Sequence, residues 1–225
     1  MARLPDDLDG LIEGWHKGFT SSIKAEDSNY GEQIAMLFND KNRKNTIFLW
    51  MAWCMLVFIQ QGIWYVSPLI YEEIEESEDL FEYFIGAVGE VSSVVIAYLM
   101  IESWLGRVGS MAIGGLILCF GNTAILFTDS HMFPHLSNIS RFGVNIAFNV
   151  LFLFTSEVYE VALRGLGTGM ATSFLEIGAF MMPFVLIPML PYFGTFSPFW
   201  VLSVLGGLFF LIHFLPSETR NKAIL

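Results

Sequence analysis

Charge is scarce in this chain of 225 residues: charged residues make up 15%, and only 11 are lysine or arginine. A soluble domain runs near a quarter charged, so too few polar atoms are present to coat a water-facing surface. The shortage of basic residues, with a net charge of −11, excludes a nucleic-acid binder, which must neutralise phosphates. Cysteine is nearly missing too. Cys54 and Cys119 sit inside apolar runs and read as small buried hydrophobes, too few for a disulfide framework. Catalytic signatures are lacking: there is no G-x-S-x-G elbow, P-loop, H-E-x-x-H or Cys/His metal spacing, so no enzyme activity, cofactor or metal is expected. His131 and His135 are four apart, but Pro134 between them interrupts the helix that a metal pair needs. What is abundant is apolar: 54% hydrophobic and 16% aromatic residues, with a mean hydropathy of +0.57. That is the composition of an integral membrane protein whose first partner is the lipid bilayer.

Charges mark out the spans. Asn45–Tyr71 is uncharged, Tyr83–Ile101 carries only Glu90, and Val108–Thr128 carries none. Phe142–Ser156 is a fourth run, extended outward through Arg141. After Arg164 only Glu176 interrupts a region reaching Pro216, and Pro183, Pro188, Pro191, Gly194 and Pro198 divide it in two. A bilayer core takes roughly 20 helical residues to cross, and lipid leaves backbone groups no outside partner, so each span must be helical. The expectation is an all-α bundle of six spans near residues 46–70, 82–104, 108–128, 136–158, 166–189 and 197–215. Residues 1–45 form a polar leading segment without a cleavable signal pattern, with a short amphipathic helix predicted over 30–38; residues 1–28 read equally as a flexible tail. Residues 216–225 are a polar tail.

Lysine and arginine placement sets orientation. With the N-terminus in the cytoplasm, only Arg141 of the 11 basic residues lies toward the outside, while Glu72, Glu73, Glu75, Glu76, Glu78, Asp79 and Glu82 crowd the first outer loop. Both termini are therefore expected in the cytoplasm. The acidic loop reads as a solvated loop more readily than as a cation-attracting mouth. The sequon Asn138-Ile-Ser140 abuts a predicted helix and is discounted.

A few polar residues at membrane depth carry the functional expectation, because an ionised group there is costly. Glu90 and Glu176 fall near mid-span. Arg141, Asn145 and Asn149 recur every fourth residue, which stacks them on one helical face. Gln60, Gln61, Trp64 and Tyr65 give the first span a polar and aromatic patch. Together these residues are the candidate lining of a central water-filled path. The amides fit a water-filled path or interhelical hydrogen bonds equally well; the two carboxylates favour function, since a lone buried carboxylate is poor glue. Gly165, Gly167 and Gly169, followed by Pro183 and Pro188, suit a helix that approaches closely and bends, as in moving transporters.

The stretch from Phe154 to Met170, with Glu157, Tyr159, Arg164, Gly167 and Gly169, resembles the junction between the tenth and eleventh spans of major facilitator superfamily transporters. It is closest to the organic cation/anion and synaptic-vesicle-glycoprotein-related branches. Leu105-Gly106-Arg107, the tail Leu215-Pro-Ser-Glu-Thr-Arg220, and Ser173–Gly178 followed by Pro183-Phe184 are similar to three further motifs of those branches. The resemblance covers residues 37–222 and implies the C-terminal half of a twelve-span fold, built of two inverted three-helix repeats near 46–128 and 138–215. It implies an acidic Glu176 in the manner of cation carriers. It also implies a cytoplasmic gate network of Arg107, Glu157, Arg164 and Glu218. Of the inter-span loop motif only Gly106 and Arg107 persist; Ser103, Trp104, Val108 and Gly109 depart from it.

Three readings follow. The first is half of a secondary transporter for a small, cationic organic solute, working with a second six-helix half or by self-association. The second is a transporter-derived structural subunit that transports nothing, and the third is a truncated product of a transporter gene.

Overall fold

The computed structural model describes residues 30–40, 42–73 and 80–213. The tail motif with Glu218, the leading residues 1–28 and most of the acidic loop lie outside these. Among the described residues the fold is all α: α1 Tyr30–Leu37, α2 Arg43–Glu73, α3 Leu80–Glu102, α4 Gly106–Ile125, α5 Phe133–Val158, α6 Val161–Leu186, α7 Met189–Phe193 and α8 Pro198–Ile212. A single 3-10 turn, Ser130–Met132, precedes α5.

Proline sits where helical physics tolerates it. Pro134 and Pro198 occupy the first turns of α5 and α8, where an N–H would have no partner anyway. Pro134 thus starts the helix and leaves His131 in the 3-10 turn, off the axis that carries His135. Pro183 lies in the last turns of α6, and Gly194, with φ of 97°, supplies the left-handed residue that turns the chain toward α8. Five helical stretches are long and apolar enough to cross a bilayer: Arg43–Glu72, Phe84–Glu102, Gly106–Ile125, Ser130–Val158 and Leu163–Phe193. The sequence predicts a sixth span; α8 has 15 residues where the description stops at His213, shorter than the roughly 20 a crossing takes.

Contacts fix the helix directions. Thr46 meets Tyr159, Trp53 meets Thr155, and Ser67 meets Ser137, so α2 and α5 run antiparallel. Trp50 stacks on Phe174 and Gly178 faces the Cys54 carbonyl, so α2 and α6 run parallel. The ion pair of Glu90 with Arg141 and the approach of Gly86 to Asn138 make α3 and α5 parallel as well. The principal helix pairs therefore survive an exchange of α2, α3, α4 for α5, α6, α8. The pair α2/α6 maps onto α5/α3, and α4/α5 maps onto α8/α2, while α2/α5 and α4/α8 map onto themselves. This is the pattern of two three-helix units of opposite direction, invisible in the residues but plain in the packing.

Small residues allow these approaches, since lipid gives no hydrophobic drive between helices. A Cβ on Gly143 would sit 2.6 Å from the Leu118 nitrogen, and one on Gly114 2.9 Å from the Ala147 nitrogen; α4 and α5 touch backbone to backbone. Burial is unequal. In the most apolar stretch of each helix, 61% is buried in α2, 50% in α5 and 44% in α4, against 22% in α3 and 17% in α6 with its continuation. The exchange partners α3 and α6 are thus the two exposed flanks.

Two ends can be distinguished. Arg43, Lys44, Arg107 and Arg164 lie at the basic end, where α2, α4 and α6 begin and α3 and α5 finish. The opposite end holds the start of α5 and the end of α2, including Phe133 and Tyr71, whose rings meet edge to face.

Candidate membrane solute site

The first span carries its polar patch on an open face. Gln60, Gln61, Trp64 and Tyr65 line an open pocket of about 400 Å³. Trp64 is 42% and Tyr65 61% exposed, while Ile63 among them and Ile59 and Val66 on either side are fully buried. The same helix thus presents an apolar stripe to the bundle and an amphipathic one to the pocket.

Beside this patch the structure brings three of the predicted residues together. Arg141 on α5 donates through Nη2 at 2.5 Å and Nε at 3.2 Å to Oε1 of Glu90 on α3. Its guanidinium carbon lies 4.1 Å from the centre of the Trp64 ring on α2. Side chains of Arg141 and Glu90 are 14% and 29% exposed. Glu90 is therefore not the lone carboxylate that the sequence suggests. It has a cation within reach, because parallel α3 and α5 place the two residues at one level. Asn145 and Asn149, the next two steps of that face, are half-buried; Asn149 Nδ2 donates to the Asn145 carbonyl at 2.8 Å, and Asn145 Nδ2 is buried with no acceptor.

Glu176 is elsewhere. It lies between Phe174 and Gly178, which face α2, and two residues along a helix turn a side chain about 200° away. It is exposed on the open flank of α6, with no ion pair among the described residues. Since Cys54 is level with Gly178 and Gly62 with Leu186, Glu176 sits about two turns, roughly 12 Å, nearer the basic end than Gln60. Within this chain it does not join the Glu90–Arg141 cluster.

At the basic end, Arg107 and Glu157 form a two-pronged pair, Nε to Oε2 at 3.0 Å and Nη2 to Oε1 at 3.1 Å. This geometry is the strong one for guanidinium and carboxylate. Arg164 is half-buried, its Nε without an acceptor; Glu218 lies outside the described residues. Sequence reading missed the neighbouring clasp. The Tyr159 hydroxyl donates to Thr46 at 3.2 Å, and Thr46 donates to the Leu37 carbonyl at 3.0 Å, tying α1 to the bundle. Burial pushes the Tyr159 hydroxyl above the usual phenol range, and the bond to Thr46 offsets part of that. Asn122, fully buried, also escaped notice, with both polar side-chain atoms lacking partners among the described residues. The available signal was a single amide in an otherwise apolar span.

A helical bundle of small-residue contacts with five helices of crossing length defines an integral multi-pass membrane protein. Comparison narrows the class. The chain is 29% identical over 177 residues to solute carrier family 22 member 15-like of Xenopus laevis, covering 72% of this chain and 35% of that protein. It is 26% identical over 169 residues to organic cation/carnitine transporter 2 of Homo sapiens, covering 72% and 27%. It is 24% identical over 215 residues to synaptic vesicle 2-related protein of Bos taurus, covering 84% and 38%. No family model matches the chain. The motif resemblance and these relatives agree: the chain is homologous to transporters of the major facilitator superfamily, of the organic-ion and synaptic-vesicle-related branches. It spans between 27% and 38% of the length of these three relatives.

Proposed function

We propose that the chain is the C-terminal six-helix half of an alternating-access carrier for a small organic solute, cationic in character. In this reading residues 46–215 are the bundle, and both termini, residues 1–45 and 216–225, lie in the cytoplasm. The observation that carries it is the matched exposure of α3 and α6, 22% and 17% buried, on the two exchange-related flanks. Alternating access needs two bundles rocking around one site, and these flanks are where a second six-helix half, or a second copy, would seat. Glu176 stands on one of them, and a mid-helix carboxylate without a cation partner attracts a cation or a proton. Gln60, Gln61, Trp64 and Tyr65 supply a neutral, aromatic wall, with Glu90, Arg141, Asn145 and Asn149 beside it. Arg107, Glu157, Arg164 and Glu218 form the inner latch.

The eroded loop motif, with Ser103, Trp104, Val108 and Gly109 in place of charged residues, favours a second reading: a structural subunit that transports nothing. Purification of the native chain with whatever six-helix bundle accompanies it, followed by uptake of tetraethylammonium, separates the two. In the carrier reading Glu176→Gln lowers uptake at least about tenfold. Uptake unchanged by that substitution removes Glu176 from the site, and a native assembly without uptake supports the structural subunit.

A further inference from the structure

We propose that Glu90 and the Trp64 ring form a cation site of their own, and that Arg141 is its tethered occupant. A small organic cation would enter only by displacing the guanidinium. The proposal rests on the transport reading for the class of ligand and refines the part that Trp64, Glu90 and Arg141 play within the site proposed there.

Three helices each supply one component. The carboxylate comes from α3, the aromatic face from α2 and the cation from α5, so the contacts are tertiary throughout. A carboxylate beside an indole face is the combination that holds organic cations, one group by charge and the other by its ring quadrupole. Arg141 satisfies both at once, with Nη2 2.5 Å from Glu90 Oε1 and its guanidinium carbon 4.1 Å from the ring centre. It does so incompletely. Nε and Nη2 converge on the same oxygen, Oε1, in contrast with the two-oxygen grip of Arg107 on Glu157. The anion is also the more exposed member, 29% against 14%. Room for the arginine arm comes from Gly86, where a Cβ would lie 3.2 Å from Arg141 Nη1 and 2.9 Å from Asn138 Oδ1. Trp64 also lines the pocket of about 400 Å³ shared with Gln60, Gln61 and Tyr65, which gives a competing cation a route to the ring.

A tethered group competes at a high effective concentration, of order millimolar. The native chain should therefore bind free cations weakly, and removal of the arginine should unmask the site.

The test uses the full chain in detergent micelles with ¹⁵N-labelled tryptophan, the Trp64 indole signal being assigned through Trp64→Phe. Tetramethylammonium is the probe. In Arg141→Gln the Trp64 signal should shift saturably, at a concentration at least about tenfold lower than in the native chain. The shift should vanish in Glu90→Gln/Arg141→Gln, and Arg141→Lys, which keeps a tethered cation, should behave as native. Equal responses of the native chain and Arg141→Gln overturn the proposal, as does a variant that responds without Glu90. Arg141→Met is the second replacement. If neither it nor the glutamine variant keeps native helicity, Arg141 is a strut rather than a displaceable occupant, and the proposal falls. Because binding is read without a partner bundle, a negative result here leaves the uptake experiment to judge transport, and failed uptake leaves this site standing.

Discussion

The molecule holds two Arg–Glu pairs, one toward each end, and they are built differently. Arg107 and Glu157 meet through two nitrogens and two oxygens, both side chains about equally buried. Arg141 and Glu90 meet at one oxygen, beside an exposed indole and an open pocket. The first joins α4 to the end of α5, helices already in backbone contact, so its geometry is fixed by packing on both sides. The second joins α5 to α3, a flank with most of its surface open. Identical chemistry thus yields a strut in one place and an exchangeable contact in the other, and the difference lies in how firmly the carrying helices are held.

Breaking each pair should expose that contrast. Arg107→Ala removes the two-pronged pair from a largely buried Glu157, and such a loss costs about 3 kcal/mol; unfolding in denaturant followed by helical circular dichroism should show it. Glu90→Gln should cost only about 1 kcal/mol by the same measurement, because the amide oxygen of the replacement still accepts from Arg141, which keeps its contact with the Trp64 ring. A cost at the Glu90 position equal to that at Arg107 would erase the distinction. Tyr159→Phe removes the bond to Thr46 while keeping the ring against Gly167, for about 1 kcal/mol, and should loosen α1 first, seen as faster amide exchange over Tyr30–Leu37. The smallest effect is expected from Trp64→Leu, about 0.5–1 kcal/mol for a half-exposed cation–π contact. A double-mutant cycle with Arg141→Gln checks whether that energy belongs to the pair.

Much of the architecture was legible beforehand because the bilayer imposes a length on every apolar run. Asn45–Tyr71 and Val108–Thr128 announce α2 and α4 by uninterrupted hydropathy, and the prolines from 183 to 198 announce the break between α6 and α8. The separate members of the site were legible too: Trp64, Glu90 and Arg141 each stood out as polar or aromatic within an apolar run. Their union was not. Nothing in spacing says that residue 90 lies level with residue 141, since that level depends on the parallel packing of α3 on α5. The reading of Glu90 as solitary failed for this reason, while Glu176, on an exposed flank, has no ion pair among the described residues. Asn122 was passed over because one amide among apolar neighbours leaves no periodic mark.

By itself the sequence determined the solvent and the elements: too little charge for water, apolar runs of crossing length, and basic residues gathered to one side. These follow from transfer free energies that each residue carries wherever it sits in the fold. Tertiary structure alone decided the exchange symmetry of the two three-helix units, the choice of α3 and α6 as open flanks, and the partner of each charge. Those depend on distances between residues far apart in the chain, set by close backbone approaches such as Gly143 at Leu118 and Gly178 at Cys54.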